Sequence, residues 1–394
     1  MKPEDTLRGI RQRLSTRQRR GLANLMGSVS QVRRNLTDWI ASPQTVPNLF
    51  GSLCGIRIGE LSGDLAIDHC SATMLRRRPG SRHVALYKLK IREPETSRTL
   101  VVEWIGKRDT TRSVGKAARE FRILQLLSDS GFGCKGRFRI PRPIHLSIDQ
   151  ELILQEKAPG VVFEALLGQS DSLTCDAATS AGIWLAKLHG MKITPEGPCT
   201  YERHFSAVRL YVQELLAVSP CLSQDLALLE TRICQGLSSF QDVPLSLIHG
   251  DYHPQHIYVA GSRITVIDFD RSHFSDPAED LGSFILHTRL AALRLGRSPE
   301  SVNPEIGAFL KGYFSSASSA DARSVADRVR TFVALSGLEA LYYVAAVLRV
   351  QDPRTEELYL RCAQDCSMLG NLAAPPGMGF SIAAMAKPGE QATA

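Results

Sequence analysis

The 394-residue sequence predicts an α+β fold of two lobes, a strand-rich small lobe followed by a mainly helical large one. Three observations carry that prediction. From Ala85 to Ile91, apolar residues alternate with Leu86, Lys88 and Lys90, the period of a half-buried strand. Ala158-Pro159-Gly160 then interrupts the chain as a natural hinge. Beyond the hinge, apolar residues recur at helical spacing, as in Ala181, Trp184, Leu185 and Leu188.

Taken in order, Leu14 to Trp39 reads as a helix that Ser42-Pro43 and Pro47 break. A tight turn at Pro79-Gly80 precedes the strand over 85–91, and the polar turn Glu93–Ser97 separates it from a second strand over 100–105. Lys116 to Leu127 places Ala117, Phe121, Leu124 and Leu127 on one helical face, and Gly131 and Gly133 end it. An extended stretch starts at Ile140-Pro141, and Leu152–Glu156 is an apolar strand. Helices are expected over 176–189, 205–218 and 222–237, and an apolar core helix or helix pair over 326–350. The predicted division is a basic extension over 1–45, a strand-rich small lobe over 46–158, a mainly helical large lobe over 159–372, and a disordered tail over 373–394.

Composition narrows the function. With 43% hydrophobic and 22% charged residues the chain is an ordinary globular one, and no apolar run reaches the length of a membrane span. No apolar stretch follows the N-terminal arginines, so no secretory signal is expected. The nine cysteines are scattered, Cys362 and Cys366 being the closest pair without a second ligand pair for zinc, and they read as reduced thiols in a cytoplasmic protein. Much of the net charge of +7 sits on Arg8, Arg11, Arg13, Arg17, Arg19, Arg20, Arg33 and Arg34. No aromatic residues are interleaved with that run, which reads as a solvated arm and not as a nucleic-acid surface.

The chemistry is concentrated in one island within the helical half. The apolar stretch Leu245–Ile248 leads into His249-Gly250-Asp251-Tyr252-His253-Pro254-Gln255-His256. Strands over 257–259 and 264–267 follow, joined at Gly261-Ser262 and ending in Asp268-Phe269-Asp270. Asp251 and Asp268 thus stand at the ends of short strands that flank one loop. That arrangement suits metal-assisted phosphoryl transfer, one carboxylate taking the proton of a hydroxyl and the other holding a hard ion that demands oxygen.

This island resembles the catalytic loop and metal motif of the aminoglycoside phosphotransferase and choline kinase family, and Asp276-Pro277-Ala278-Glu279-Asp280-Leu281 resembles the segment that follows there. The resemblance is specific over 245–284 and collinear from about 75 to 190. It implies a protein-kinase-like bilobal fold that transfers a phosphoryl group from ATP, with Mg2+, to a small-molecule hydroxyl. It further implies Asp251 as catalytic base, His249 as its support, Asp268 as metal ligand, and Asp276 and Asp280 as bracing groups. The helix ending at His189 resembles the one beneath the catalytic loop and is expected only to pack. Glu120 matches the helix-borne partner of a phosphate-clamping lysine, for which Lys107 is preferred over Lys88 and Lys90. Gln155 and Lys157 lie in the hinge, where backbone groups would meet adenine.

Three departures stand out. His256 occupies the position at which the family usually has an Asn metal ligand. The lysine is ambiguous, because Lys107 lies just beyond the expected strand. Arg78-Pro79-Gly80-Ser81-Arg82 replaces a glycine-rich loop. These leave open a second reading, a degenerate kinase fold acting as a nucleotide-binding or regulatory module. Glu202, Arg203 and His204 form a polar cluster that reads as surface polarity, and the acceptor and the oligomeric state are not readable from the sequence.

Overall fold

A computed structural model describes residues 40–50, 65–77, 82–109, 115–133, 136–168, 172–193, 201–240, 243–317, 319–350 and 352–364. The arginine run, the turn at Pro79-Gly80 and the tail from 373 lie outside the described residues. The chain divides into two compact units, residues 1–121 with 143–157 and residues 122–142 with 158–394. Among the described residues, no helix is long and apolar enough to cross a membrane.

The first unit is built on a five-stranded antiparallel sheet. After a short helix α1 (Thr45–Phe50) come β1 (Ala66–Arg77), β2 (Arg82–Arg92) and β3 (Thr99–Asp109), then β5 (Pro143–Ser147) and β6 (Leu152–Glu156), in the order β1-β2-β3-β6-β5. The alternation read from the sequence appears directly as burial. His83, Ala85, Tyr87, Leu89 and Ile91 of β2 are buried, whereas Lys88 and Lys90 are exposed. Tyr87, Leu89, Trp104, Leu152 and Leu154 form one core with Ile40 and Val46, and the Tyr87 hydroxyl donates to the Ile40 carbonyl. Ile40, expected in the N-terminal extension, is therefore part of this core. Gly106 is required by the same packing, because a Cβ there would lie 2.6 Å from the Tyr87 ring.

Strand β3 continues four residues past the expected end at Ile105. Helix α2 (Lys116–Asp129) follows, and the division between the units falls within it, between Phe121 and Arg122.

The second unit carries a four-stranded sheet in the order β4 (Phe138–Arg139), β10 (Arg263–Val266), β9 (Ile257–Ala260), β7 (Val161–Val162). A two-stranded pair joins β8 (Ser246–Ile248) to β11 (His273–Ser275). Around them stand α3 (Ser172–His189), α4 (Glu202–Val218), α5 (Ser223–Ser239), α6 (Ala278–Arg294), α7 (Asn303–Ser316), α8 (Ser319–Tyr342) and α9 (Pro353–Gln364). Trp184 sits at the centre of the core, against Phe132 at a ring distance of 4.9 Å and Tyr252 at 5.8 Å. Its indole N–H donates to the Arg139 carbonyl (3.0 Å), so a large side chain is buried without an orphaned donor.

The stretch 326–350 does not stay buried to its end. Helix α8 gives way to one π-helical turn (Tyr343–Val347), and Tyr343, Val347, Leu348 and Val350 are exposed. Apolar composition alone does not reveal where a helix leaves its neighbours. Arg328 of α8, by contrast, is buried and forms two short hydrogen bonds to Asp276 (2.6 and 2.9 Å), which also accepts from the Ala278 amide (2.9 Å). Asp276 thereby caps α6 and ties it to α8.

Candidate active site

Asp251 follows β8 by three residues, and the backbone of its loop hangs from a buried carboxylate. Asp280, in the first turn of α6, accepts the amide of His249 at one oxygen (2.7 Å) and the amide of Gly250 at the other (2.8 Å). It also accepts from Nε2 of His189 (3.1 Å), whose Nδ1 meets the Tyr313 hydroxyl (3.0 Å). An anion at a helix N-terminus, holding three donors, is well stabilised despite complete burial. His189 was expected only to pack. It instead extends the network by which α3, α6 and α7 hold the loop.

His249 is fully buried and spans the loop. Its Nε2–H donates to the Ile267 carbonyl (2.9 Å) and its Nδ1 accepts the Asp251 amide (3.3 Å). Both contacts together require the neutral ring. Gly250 has φ +76°, and a Cβ there would lie 2.4 Å from the Arg271 carbonyl oxygen. The Tyr252 hydroxyl donates to the Ala181 carbonyl (2.9 Å), which anchors the next residue on α3. With its neighbours thus fixed, the Asp251 carboxylate is left partly open, at 25% exposure.

Around that carboxylate stand three cationic or imidazole groups. His253 Nε2 lies 3.7 Å from one oxygen, His256 Nδ1 3.7 Å from the other, and Arg271 3.9 Å from the first. These exceed hydrogen-bond distance, so they act by field and shape. Arg271 is held at 2.8 Å by Glu339 of α8. The sequence reading missed Arg271, although it directly follows the Asp-Phe-Asp triplet.

Asp268 follows β10 by two residues and adopts the left-handed conformation, φ 71° and ψ 65°. Asp tolerates that region better than most residues, because its short polar side chain bonds locally. The single 3-10 turn Phe269–Arg271 follows, with Phe269 buried 4.8 Å from the His249 ring. His256 lies in another single 3-10 turn, Pro254–His256. Its Nδ1 donates to the Asp251 carbonyl (2.9 Å) and its Nε2 stands 3.5 Å from Asp268. Gln255, beside His256, is exposed.

In the first unit, Lys107 is buried and donates to Glu120 at 2.8 Å, and Arg82 reaches the second Glu120 oxygen at 3.3 Å. Strand register puts Val84, Lys107 and Ile153 in one row, and Leu86, Ile105 and Gln155 in the next, on one face. Lys88 and Lys157 are elsewhere, both on the Glu103 carboxylate (3.2 and 2.6 Å). The Lys157 amide donates to the Glu103 carbonyl (3.0 Å). Gln155 is buried, and its Oε1 has no hydrogen-bond partner among the described residues.

Arg203 and His204, read as surface polarity, both bond Glu279 (3.1 and 3.0 Å), and His204 is buried. Ser275 donates to the same carboxylate (2.9 Å). The pairing links α4 to α6 across 75 residues, a contact that no local pattern announces.

The imidazoles predict an acid limit to stability. Burial pushes His249 below its ordinary value and takes His287, on α6, down to about 4. The unfolded chain titrates near 6.5, so below that pH it binds protons the fold refuses. The stabilisation from each neutral ring is complete above about pH 6.5 and is lost as pH falls toward the folded value. Replacing His287 with Gln is expected to flatten the decline between pH 7 and 5 by about 1–2 kcal/mol. Denaturant unfolding of both proteins at the two pH values measures it, and parallel declines would remove His287 from the account.

The family model of the phosphotransferase enzyme family matches residues 91–358. Among solved structures, a thermostable mutant of aminoglycoside phosphotransferase APH(4)-Ia in ternary complex with ADP and hygromycin B is 12% identical, with a TM-score of 0.51, over 84% of this chain and 97% of that one. The gentamicin complex of APH(2'')-IIa is 15% identical, with a TM-score of 0.50, over 77% and 93%. A choline/ethanolamine kinase family protein from Mesorhizobium loti is 16% identical, with a TM-score of 0.49, over 76% and 91%. No curated protein sequence matches. The two aminoglycoside enzymes share the kinase-like fold with this chain, and the match over 91–358 decides the family: the chain belongs to the phosphotransferase enzyme family.

Proposed function

We propose that this chain transfers the γ-phosphoryl group of ATP to a hydroxyl group of a small molecule, with Asp251 as general base and Asp268 as the metal-facing carboxylate. The observation that carries the reading is the suspended loop. Asp280 and His249 hold the backbone amides of 249–251 and the Tyr252 hydroxyl anchors the next residue, yet the Asp251 carboxylate remains partly open. A carboxylate held in this way can accept a hydroxyl proton as the oxygen attacks phosphorus, without reorganising its own support. Arg271 places a guanidinium 3.9 Å from the same carboxylate.

The nucleotide fits the first unit. Lys107, paired with Glu120, presents a fixed ammonium to phosphate oxygens. Val84, Leu86 and Ile105 share its face and offer apolar contact to a base, and the unpartnered Gln155 oxygen is an acceptor for an exocyclic amine. ADP in the APH(4)-Ia complex supports the same class of donor here. Mg2+ suits the Asp268 carboxylate but not the imidazole of His256, because the hard ion prefers oxygen ligands.

The test is phosphoryl transfer from ATP to a panel of hydroxyl-bearing compounds, followed by phosphorus NMR, with Mg2+ and Mn2+ supplied in separate series. A phosphomonoester product is expected with at least one acceptor class. Nucleotide affinity indifferent to divalent metal, with no product in either series, would instead identify a binding or regulatory module.

A further inference from the structure

His256 and Asp268 face each other as two acceptors. Because the Nδ1–H of His256 donates to the Asp251 carbonyl, the Nε2 of the neutral ring carries a lone pair. That nitrogen stands 3.5 Å from an oxygen of Asp268. A lone pair and a carboxylate at this separation repel each other unless a proton or a cation lies between them. Two atoms bound about 2.1 Å from one ion, at angles near those of tetrahedral or octahedral coordination, stand roughly 3.0–3.5 Å apart. The spacing is that of neighbouring ligands on one ion. The far side of the ring agrees, since metal-bound imidazoles commonly give their other N–H to a carbonyl or carboxylate.

His253 is different, although Asp251, His253 and His256 can each bring a ligand atom within 4.8 Å of the others. Its Nδ1 accepts the Gln255 amide (3.3 Å), which puts its proton on Nε2, toward Asp251. As a donor it cannot ligate unless that contact breaks. Its ring lies 3.8 Å from that of His256, so it restricts how the ligating ring can turn.

We propose that His256 Nε2 and an Asp268 oxygen jointly ligate a first-row transition-metal dication of the Mn2+ or Co2+ kind, and that the chain prefers such an ion to Mg2+. Mixed imidazole and carboxylate donors suit these ions, whereas Mg2+ keeps water and oxygen around it. The assignment rests on the reading of Asp268 as metal-facing, but it does not need turnover.

Pulsed electron paramagnetic resonance of Mn2+ bound to the full chain tests it. The protein is labelled with 15N and loaded with an unlabelled, non-hydrolysable ATP analogue, so any 15N coupling comes from the chain. Bound Mn2+ is expected to show the strong coupling of a directly bound imidazole. His256→Asn should abolish it and shift the Mn2+-over-Mg2+ preference toward Mg2+ by about tenfold. His253→Gln should retain the coupling. Mn2+ that fails to bind, binds without 15N coupling in the unsubstituted protein, or keeps the coupling in His256→Asn would overturn the assignment. The first two outcomes are read on the unsubstituted chain, so a variant that folds poorly does not protect the idea. A protein with the expected coupling that phosphorylates nothing would refute the function proposed above while upholding the metal site.

Discussion

Asp280→Ala is expected to destabilise the chain by about 3–5 kcal/mol, the largest single-residue effect the structure predicts. The carboxylate is fully buried, and three donors converge on it: the amides of His249 and Gly250 and the imidazole of His189. Truncation leaves all three without that partner in the protein interior. At this chain length the unfolding midpoint should fall by about 4–6 °C. Asp280→Asn should cost less, since one amide oxygen can still accept, but its NH2 then faces a backbone donor. Denaturant titration of the three proteins measures the series. Two variants within about 1 kcal/mol of the parent would mean the loop is held by something else.

Asp251→Asn is expected to do the reverse, leaving the fold intact and lowering kcat by about 100- to 10,000-fold. The side chain lies partly open and makes no hydrogen bond shorter than 3.5 Å to its neighbours His253, His256 and Arg271, so the isosteric amide strands no buried group. The loss corresponds to about 3–5 kcal/mol of transition-state stabilisation. KM for ATP should change little, because the nucleotide-facing residues proposed above belong to the first unit. Comparable kcat in the two proteins would sink the assignment of Asp251 as the base. The contrast between the two substitutions is informative in itself: neighbouring residues of one network, one governing stability and the other rate.

Much of this was legible in the sequence, for reasons that differ from residue to residue. The strand over 85–91 announced itself because one face is buried and the other carries lysines. His249-Gly250-Asp251 and Asp268-Phe269-Asp270 were legible because short apolar strands stop beside them. The bracing role of Asp276 and Asp280 came with the resemblance of the segment 276–281 to its counterpart in the family. Other features depend on partners far along the chain. Arg328 meets Asp276 across 52 residues and His189 meets Asp280 across 91, distances at which composition carries no signal. Lys107 was ambiguous because the apolar stretch ends at Ile105, two residues before it, whereas β3 runs on to Asp109 with Gly106, Lys107 and Arg108 all buried. The exposure of Lys88 and its pairing with Glu103 could be seen only once the strand register was known.

Gly250 bears on how far one kinase-like loop can be exchanged for another. The His-Gly-Asp order differs by one residue from the His-Arg-Asp of protein kinases, which suggests an interchangeable position. The backbone here forbids the exchange. With φ at +76° and the Arg271 carbonyl oxygen 2.4 Å from where a Cβ would be, even alanine collides with main chain, which cannot swing aside as a side chain could. Grafting an arginine-bearing loop onto this scaffold would require moving the segment after Asp268 as well. The two halves of the centre are thus inherited as one piece, and an engineer wishing to re-aim Asp251 must redesign residues 249–251 and 268–273 together.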